Sequence, residues 1–447
     1  MILNLLSIVM FIMLIINYYL SNRDVCNPAV IFCIMNLLSI IVCIAVRDMY
    51  NIVFHFNTFC VLVFGVLIFT ISNLLYRGNI ILKFKSTNTR GGSYAQQIKI
   101  NNMWIILFIL FELIVAYANI SYIKRVAIAY GGTSGLIAQI GVYNYLVKFN
   151  EDALNKLAIG SSRIYAYGFP LCIAFSFFLI AVIINNYFAK KKVELIKVAP
   201  VILLMAMSLI SGSRSFAFTI VTAVLCDIFI IRRRVTGKYS HVTIKLFVKI
   251  VFLAIVLVVS LTAVVGLLGR AQQGGIKTFF TYLGASFFNL DSFLLESIHH
   301  SEVWGRETFG YFYNYIGTAF HVDELIYNLT LPFRYANGVS VGNVYTMYYQ
   351  FILDFGYIGV LPLTVIIAFY YFHNYHILIK KQGSIVSMRL IIFSMLFNDL
   401  IMLVFSNRFF ESALRTRTIR FYFWLLIIWV CYKKGLFSLT IRIKKLK

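Results

Sequence analysis

Four arginines and one stretch rich in titratable side chains carry the chemistry this sequence could do. Arg214 lies in Ser211-Gly212-Ser213-Arg214-Ser215, a tight turn between two apolar runs. A guanidinium, flanking hydroxyls and the free amides that open a helix together suit a phosphate or a carboxylate. The competing account is an arginine that snorkels to lipid headgroups. Arg270, after Leu268-Gly269 at the end of another apolar run, has the same character, as do Arg334 and Arg408. A guanidinium fork can grip a diphosphate bidentately. With no Asp-x-Asp pair and no Walker-type glycine loop in the chain, these arginines point to metal-free handling of an anionic group, and no cofactor is expected. The stretch 271–345 holds six of the 16 acids, Asp291, Glu296, Glu302, Glu307, Asp323 and Glu324, and three of the seven histidines, His299, His300 and His321. It is also rich in aromatic residues, Trp304, Tyr311, Phe312, Tyr313 and Tyr315 among them. Groups that exchange protons beside flat rings suggest a site where a substrate is oriented and reacts, although an interfacial aromatic belt is the plainer account of the rings.

The elements that must position these residues are membrane helices. Of the 447 residues, 61% are apolar and 13% charged, with a mean hydropathy of +0.86, which excludes an ordinary soluble enzyme. Charge-free runs long enough to cross a bilayer cover 1–22, 25–46, 49–76, 164–189, 250–269 and 355–379. Shorter or interrupted runs cover 100–123 around Glu112, 198–213, 215–231 around Asp227 and 390–407 around Asp399. A last run, 417–434, spans only if Arg417, Arg420, Lys433 and Lys434 snorkel from its ends. The expectation is an all-α integral membrane protein of about 11 (10–12) transmembrane helices, a single polytopic domain over 1–447 with one large structured extracytoplasmic loop, 271–345, between the eighth and ninth. On that count, 25 of the 40 basic residues fall in the odd-numbered loops and the C-terminus, against 15 in the even ones, so the odd side is cytoplasmic. The formal net charge of +24 is then mostly topological, and no nucleic acid is expected. Met1 to Leu20 reads as a retained helix, having neither a basic start nor a cleavage site.

Smaller features take structural readings. The seven cysteines form no CxxC pair and read as packing residues. Asp227 is expected to pair with Arg232, Glu112 to make a polar contact or serve proton coupling, and Asn398-Asp399 to join helices. His373 and His376 have metal-like spacing without a nearby acid or cysteine, so no metal site is assigned. The run Thr278 to Ile298 reads as an amphipathic helix in the interface plane.

Three motifs in order, Gly-Ser-Arg-Ser at 212–215, Gly269-Arg270 opening the large loop, and Gly342-Asn343-Val344-Tyr345-Thr346 running into Asp354-Phe355-Gly356-Tyr357-Ile358-Gly359, resemble the oligosaccharide repeat unit polymerases. These are the Wzy-type O-antigen and capsule polymerases, related to the O-antigen ligases. The likeness covers the whole chain as topology and 211–215 and 269–359 as motif. It implies a metal-independent, GT-C-like glycosyltransferase of the bacterial inner membrane, active at the periplasmic face. Such an enzyme transfers a growing glycan from undecaprenyl diphosphate to a fresh undecaprenyl-diphosphate-linked oligosaccharide in the bilayer, in concert with a chain-length regulator protein. On this likeness the leaving diphosphate lies near Arg214 and Arg270, with Arg334 and Arg408 as further diphosphate ligands. The general base is His321 with Asp323 and Glu324, while His299, His300, Asp291 and Glu296 stay open. Asn343 either caps the helix leading into the ninth span or contacts sugar, Tyr345 contacts substrate, and Asp354, Gly356 and Gly359 are structural. A ligase would differ only in its acceptor. A lipid-linked oligosaccharide flippase would need a polar path through many helices and an internal repeat, and neither is visible.

Overall fold

Long charge-free runs have one way to satisfy their backbone in hydrocarbon, and the computed structural model of the chain places helices along them. It describes residues 1–78, 80–81, 95–131, 135–149, 151–157, 159–160, 162–211, 214–237, 280–296, 298, 300–380 and 383–438. The first half comprises α1 (Ile2–Leu20), α2 (Pro28–Ala45), α3 (Arg47–Tyr50), α4 (Phe56–Arg77), α5 (Asn102–Ala129), α6 (Leu136–Phe149), α7 (Glu151–Lys156), α8 (Arg163–Lys190), α9 (Leu195–Ile210) and α10 (Arg214–Thr236). Then follow a π-turn at Phe280–Gly284, α11 (Ala285–Leu294), α12 (Gly310–Phe320), strands β1 (Arg334–Ala336) and β2 (Val339–Gly342), α13 (Met347–Lys380), α14 (Met388–Met402), α15 (Arg408–Ala413) and α16 (Thr416–Lys433). Among the described residues seven helices, α1, α2, α4, α5, α8, α10 and α13, are long and apolar enough to cross a membrane. Helices α9, α14 and α16 fill three more of the expected intervals; the interval 250–269 lies outside the described residues.

Local chemistry sets the helix starts. Asn27 accepts a bond from the Ala29 amide with Pro28 in the first turn, Ser162 from Tyr165, and Ser387 from Leu390, each satisfying an amide that no carbonyl can reach. Helix α8 is apolar on every side and largely buried, so it forms the centre of one half of the bundle, against α5, α9, α10 and α16. In the other half α1, α2, α4 and α13 pack together, stitched by asparagines: Asn17 donates to Thr70 at 2.8 Å and Asn27 to Asn73 at 3.0 Å. Glu112 is buried and accepts a bond from Ser176 at 3.3 Å.

At one end of the bundle Arg233 pairs with buried Asp24, which also accepts the Tyr375 hydroxyl at 2.5 Å, and Arg234 donates to the carbonyls of Gly383, Ser384 and Ile385. These contacts correct one expectation: no ion pair joins Asp227 to Arg232 among the described residues, and the basic end of α10 is held by Asp24 instead. His373 and His376 pack against the Tyr76 ring.

The 280–346 segment folds onto the opposite end. Helix α11 is not an amphipathic helix lying in the interface: eight of its ten residues are buried, because Ser286 donates to the Val404 carbonyl at 2.6 Å and Asn289 to Val344 at 2.8 Å. Asp291 accepts from the His55 amide and from Thr58 at 2.8 and 2.5 Å, holding the start of α4. The hairpin β1–β2 interrupts an otherwise helical chain. Its turn residues, Asn337 and Gly338, both have positive φ, 49° and 72°, the Asn-Gly geometry that matches the twist of paired strands.

Candidate functional site

Ser211 and Arg214 flank Gly212 and Ser213, which lie outside the described residues. Ser211 ends α9, donates to the Met207 carbonyl at 3.0 Å and accepts from Asn119 at 3.0 Å, while α10 begins at Arg214. The Arg214 side chain and all of Arg270 lie outside the described residues. The first turns of α10 face a polar pocket of about 80 Å³, to which α10 contributes Ser215 and Thr219. Helix α14 contributes Asn398 and Asp399, and the chain from α15 into α16 contributes Arg408, Ser412, Arg415 and Arg417.

Three guanidiniums therefore converge beside the amino end of a 23-residue helix, where the helix dipole also favours an anion. Each rests on a ring: Arg408 over Phe405 at 5.7 Å, Arg415 over Tyr311 at 5.1 Å and Arg417 over Phe169 at 5.1 Å. Ring contacts hold the guanidinium planes without neutralising them. The counter-charge is sparse. Glu411 approaches Arg408 only to 3.8 Å and is shared with Ser406 and Gln350. Asp399 is 5% exposed; one carboxylate oxygen accepts from Ser412 at 3.1 Å and the other has no protein partner. Three guanidiniums beside two carboxyl groups, one of them outside the pocket lining, leave the pocket with a positive balance.

Of the four arginines singled out in the sequence, Arg408 lines this pocket, together with Ser215. Arg417 had looked like an anchor of a short last span, and Arg415 had drawn no reading. The signal that marks them is their spacing, three arginines within ten residues around a six-residue helix, more than one membrane end needs. Arg420, by contrast, is committed to the Ala166 carbonyl at 2.8 Å and to the Tyr167 ring.

Other sequence candidates are placed elsewhere. Arg334 makes a two-pronged ion pair with Glu296, and its Nε donates to the Tyr345 hydroxyl at 3.0 Å. The hydrogen bonds from Arg334 hold the Glu296 carboxyl below its usual range and push Arg334 still higher, so Glu296 fills the fork meant for a phosphate. Tyr345 is fully buried, donates to the Pro332 carbonyl at 3.0 Å and stacks on Tyr349; it orients Arg334 and presents no face to a sugar. Asn343 is half-buried in the segment between the hairpin and α13. His321, Asp323 and Glu324 are exposed and have no polar partner among the described residues. His321 occupies the left-handed position that ends α12, with φ 55°. Tyr311, which carries Arg415, stands at the other end of that 11-residue helix, about 15 Å away at 1.5 Å per residue. The three residues assigned as general base therefore make no assembled site with the arginines.

His299 lies outside the described residues, and His300 is exposed near the Leu353 carbonyl. Asp291 makes the one carboxylate–imidazole pair among the described residues: it meets His55 Nδ1 at 2.8 Å, with 44% of the His55 side chain exposed. His55 had no sequence signal, because its partner is 236 positions away. Asp354 accepts the amides of Glu307 and Thr308 at 3.1 and 2.6 Å, and Gly356, at φ 66° and ψ −170°, breaks α13 beside it; both are structural. Compared with protein-family models, with curated proteins and with solved structures, the chain finds no match.

Proposed function

We propose that the chain is a polymerase of lipid-linked oligosaccharide repeat units, a glycosyltransferase acting on undecaprenyl-diphosphate-linked glycan at the extracytoplasmic face of a bacterial inner membrane. The observation that carries this reading is the pocket in which Arg408, Arg415 and Arg417 stand beside the start of α10. A membrane protein gains little from three clustered, poorly neutralised arginines unless they meet a multiply charged anion. A lipid diphosphate supplies that charge at the depth where the helices end.

The chemistry follows from charge. An acceptor hydroxyl attacks the anomeric carbon of the donor glycan, the carbon–oxygen bond to the diphosphate breaks, and the bonding electrons leave with the diphosphate. The hydroxyl proton passes to a basic group and then to solvent. Negative charge on the leaving diphosphate grows through the step, and guanidiniums already oriented on aromatic rings favour that later state. One preorganised donor of this kind is worth about 10²–10³ in rate.

The test is reconstitution. Purified protein in lipid nanodiscs, given undecaprenyl-diphosphate-linked repeat units, is expected to yield a ladder of longer glycans, and Arg417→Ala to slow the ladder about a hundredfold or more. Transfer of preformed polymer to a lipid A core acceptor without any ladder would mark a ligase. Unchanged substrate under both conditions sinks the glycosyltransferase reading.

A further inference from the structure

The arginine pocket holds a second, opposite demand. Asp399 Oδ2 is buried and has no hydrogen-bond partner, while its other oxygen is fixed by Ser412. Arg408 Nε is a buried donor with no partner. The residues that carry this orphan acceptor and orphan donor, Asp399 and Arg408, line the same pocket. A buried group left unpaired is costly, so a ligand that belongs here should satisfy both. A bare phosphate offers only acceptor oxygens: it would answer the guanidiniums and leave Asp399 Oδ2 without a donor. A ligand with a hydroxyl a few bonds from its phosphate answers the carboxylate as well.

We propose that Asp399 selects for the sugar, so that the pocket recognises a glycosyl diphosphate, with phosphate oxygens on Arg408, Arg415 and Arg417 and a hydroxyl of the first sugar donating to Asp399 Oδ2. This rests on the pocket being the diphosphate site and adds the substrate feature that distinguishes a loaded carrier lipid from a spent one. After transfer the carrier keeps its diphosphate but has lost the sugar; Asp399 then faces phosphate without a donor, which promotes release.

The test compares equilibrium binding of two soluble-chain probes, farnesyl diphosphate and a hexosyl farnesyl diphosphate, to the purified full chain in phosphatidylcholine nanodiscs. Wild type is expected to favour the glycosylated probe about tenfold or more, the range of one hydrogen bond to a charged group. Asp399→Ala should abolish that preference while retaining or tightening farnesyl diphosphate binding. Should Asp399→Ala not accumulate, Asp399→Asn should narrow the preference several-fold. Equal wild-type affinities, or a preference that survives in the Asp399 variants, overturn the proposal while leaving the diphosphate reading intact. Binding that is absent or indifferent to Arg417→Ala overturns both. Equal competition by phosphatidylglycerol, which also pairs a phosphate with hydroxyls, would assign the pocket to a membrane lipid and overturn the proposal as well.

Discussion

An arginine's meaning depends on what already occupies its fork. Arg334 and Arg408 look alike in the sequence, yet Arg334 is closed by Glu296 and Tyr345 while Arg408 meets its nearest carboxylate only at 3.8 Å. Their alanine variants should therefore differ in kind. Arg408→Ala and Arg417→Ala are expected to weaken prenyl diphosphate binding at least tenfold with little change in melting temperature. Arg334→Ala should spare binding and loosen the 296–345 segment, seen as faster amide exchange there. Equal loss of binding in all three would show that the Glu296 fork opens for ligand. The same pair predicts a pH effect. Arg334 holds the Glu296 pKa below its unfolded value, so its contribution is present above the unfolded carboxylate range and is lost as pH falls through the lower, folded pKa. Glu296 is half-exposed, which limits the contribution to about 1 kcal/mol or less. Protection of the segment should fall only below about pH 4, and Glu296→Gln should remove that dependence.

The long apolar helices were legible from charge-free or once-interrupted length, because hydrocarbon forbids an unpaired backbone whatever the side chains do, whereas α6 carried no such mark. What lies between them was less so. Helix α11 looked amphipathic and interfacial because its partners on α4 and near Val404 are more than a hundred positions away; burial through distant partners leaves no periodic mark. The hairpin did carry a local mark, Asn337-Gly338, masked by the helical composition around it. Two variants test these elements. Asp291→Ala strips the acceptor from the His55 amide and the Thr58 hydroxyl, which should destabilise the purified protein by about 2–3 kcal/mol; Asp291→Asn should cost less, and a neutral alanine variant would mean that water replaces the carboxylate. Gly356→Ala forces a side chain into φ 66°, ψ −170°, a region open almost only to glycine, at about 1–3 kcal/mol. It should also shift the 301–310 segment docked on Asp354 and Asn407, detectable as altered quenching of the exposed Trp304.

Among the described residues, arginines gather at two ends of the bundle, and the two ends use them differently. At one, Arg233 and Arg234 are tied to Asp24 and to backbone carbonyls, the behaviour of residues whose task is to hold an end in place. At the other, Arg408, Arg415 and Arg417 keep their charge on offer. In the topology proposed above the first end is cytoplasmic and the second faces outward, where positive charge has no topological benefit and needs another cause. That assignment can be measured directly. Arg232 and Trp304 are both exposed and stand at opposite ends of the bundle. In spheroplasts treated with a charged, membrane-impermeant maleimide, Trp304→Cys should label at once and Arg232→Cys only after permeabilisation. Wild type serves as the blank, since five of its seven cysteines are buried and Cys60 and Cys431 lie within apolar helices. The reverse pattern would put the arginine pocket in the cytoplasm, turn its three cations into ordinary inside anchors, and remove the reason for seeking a lipid-linked glycan there.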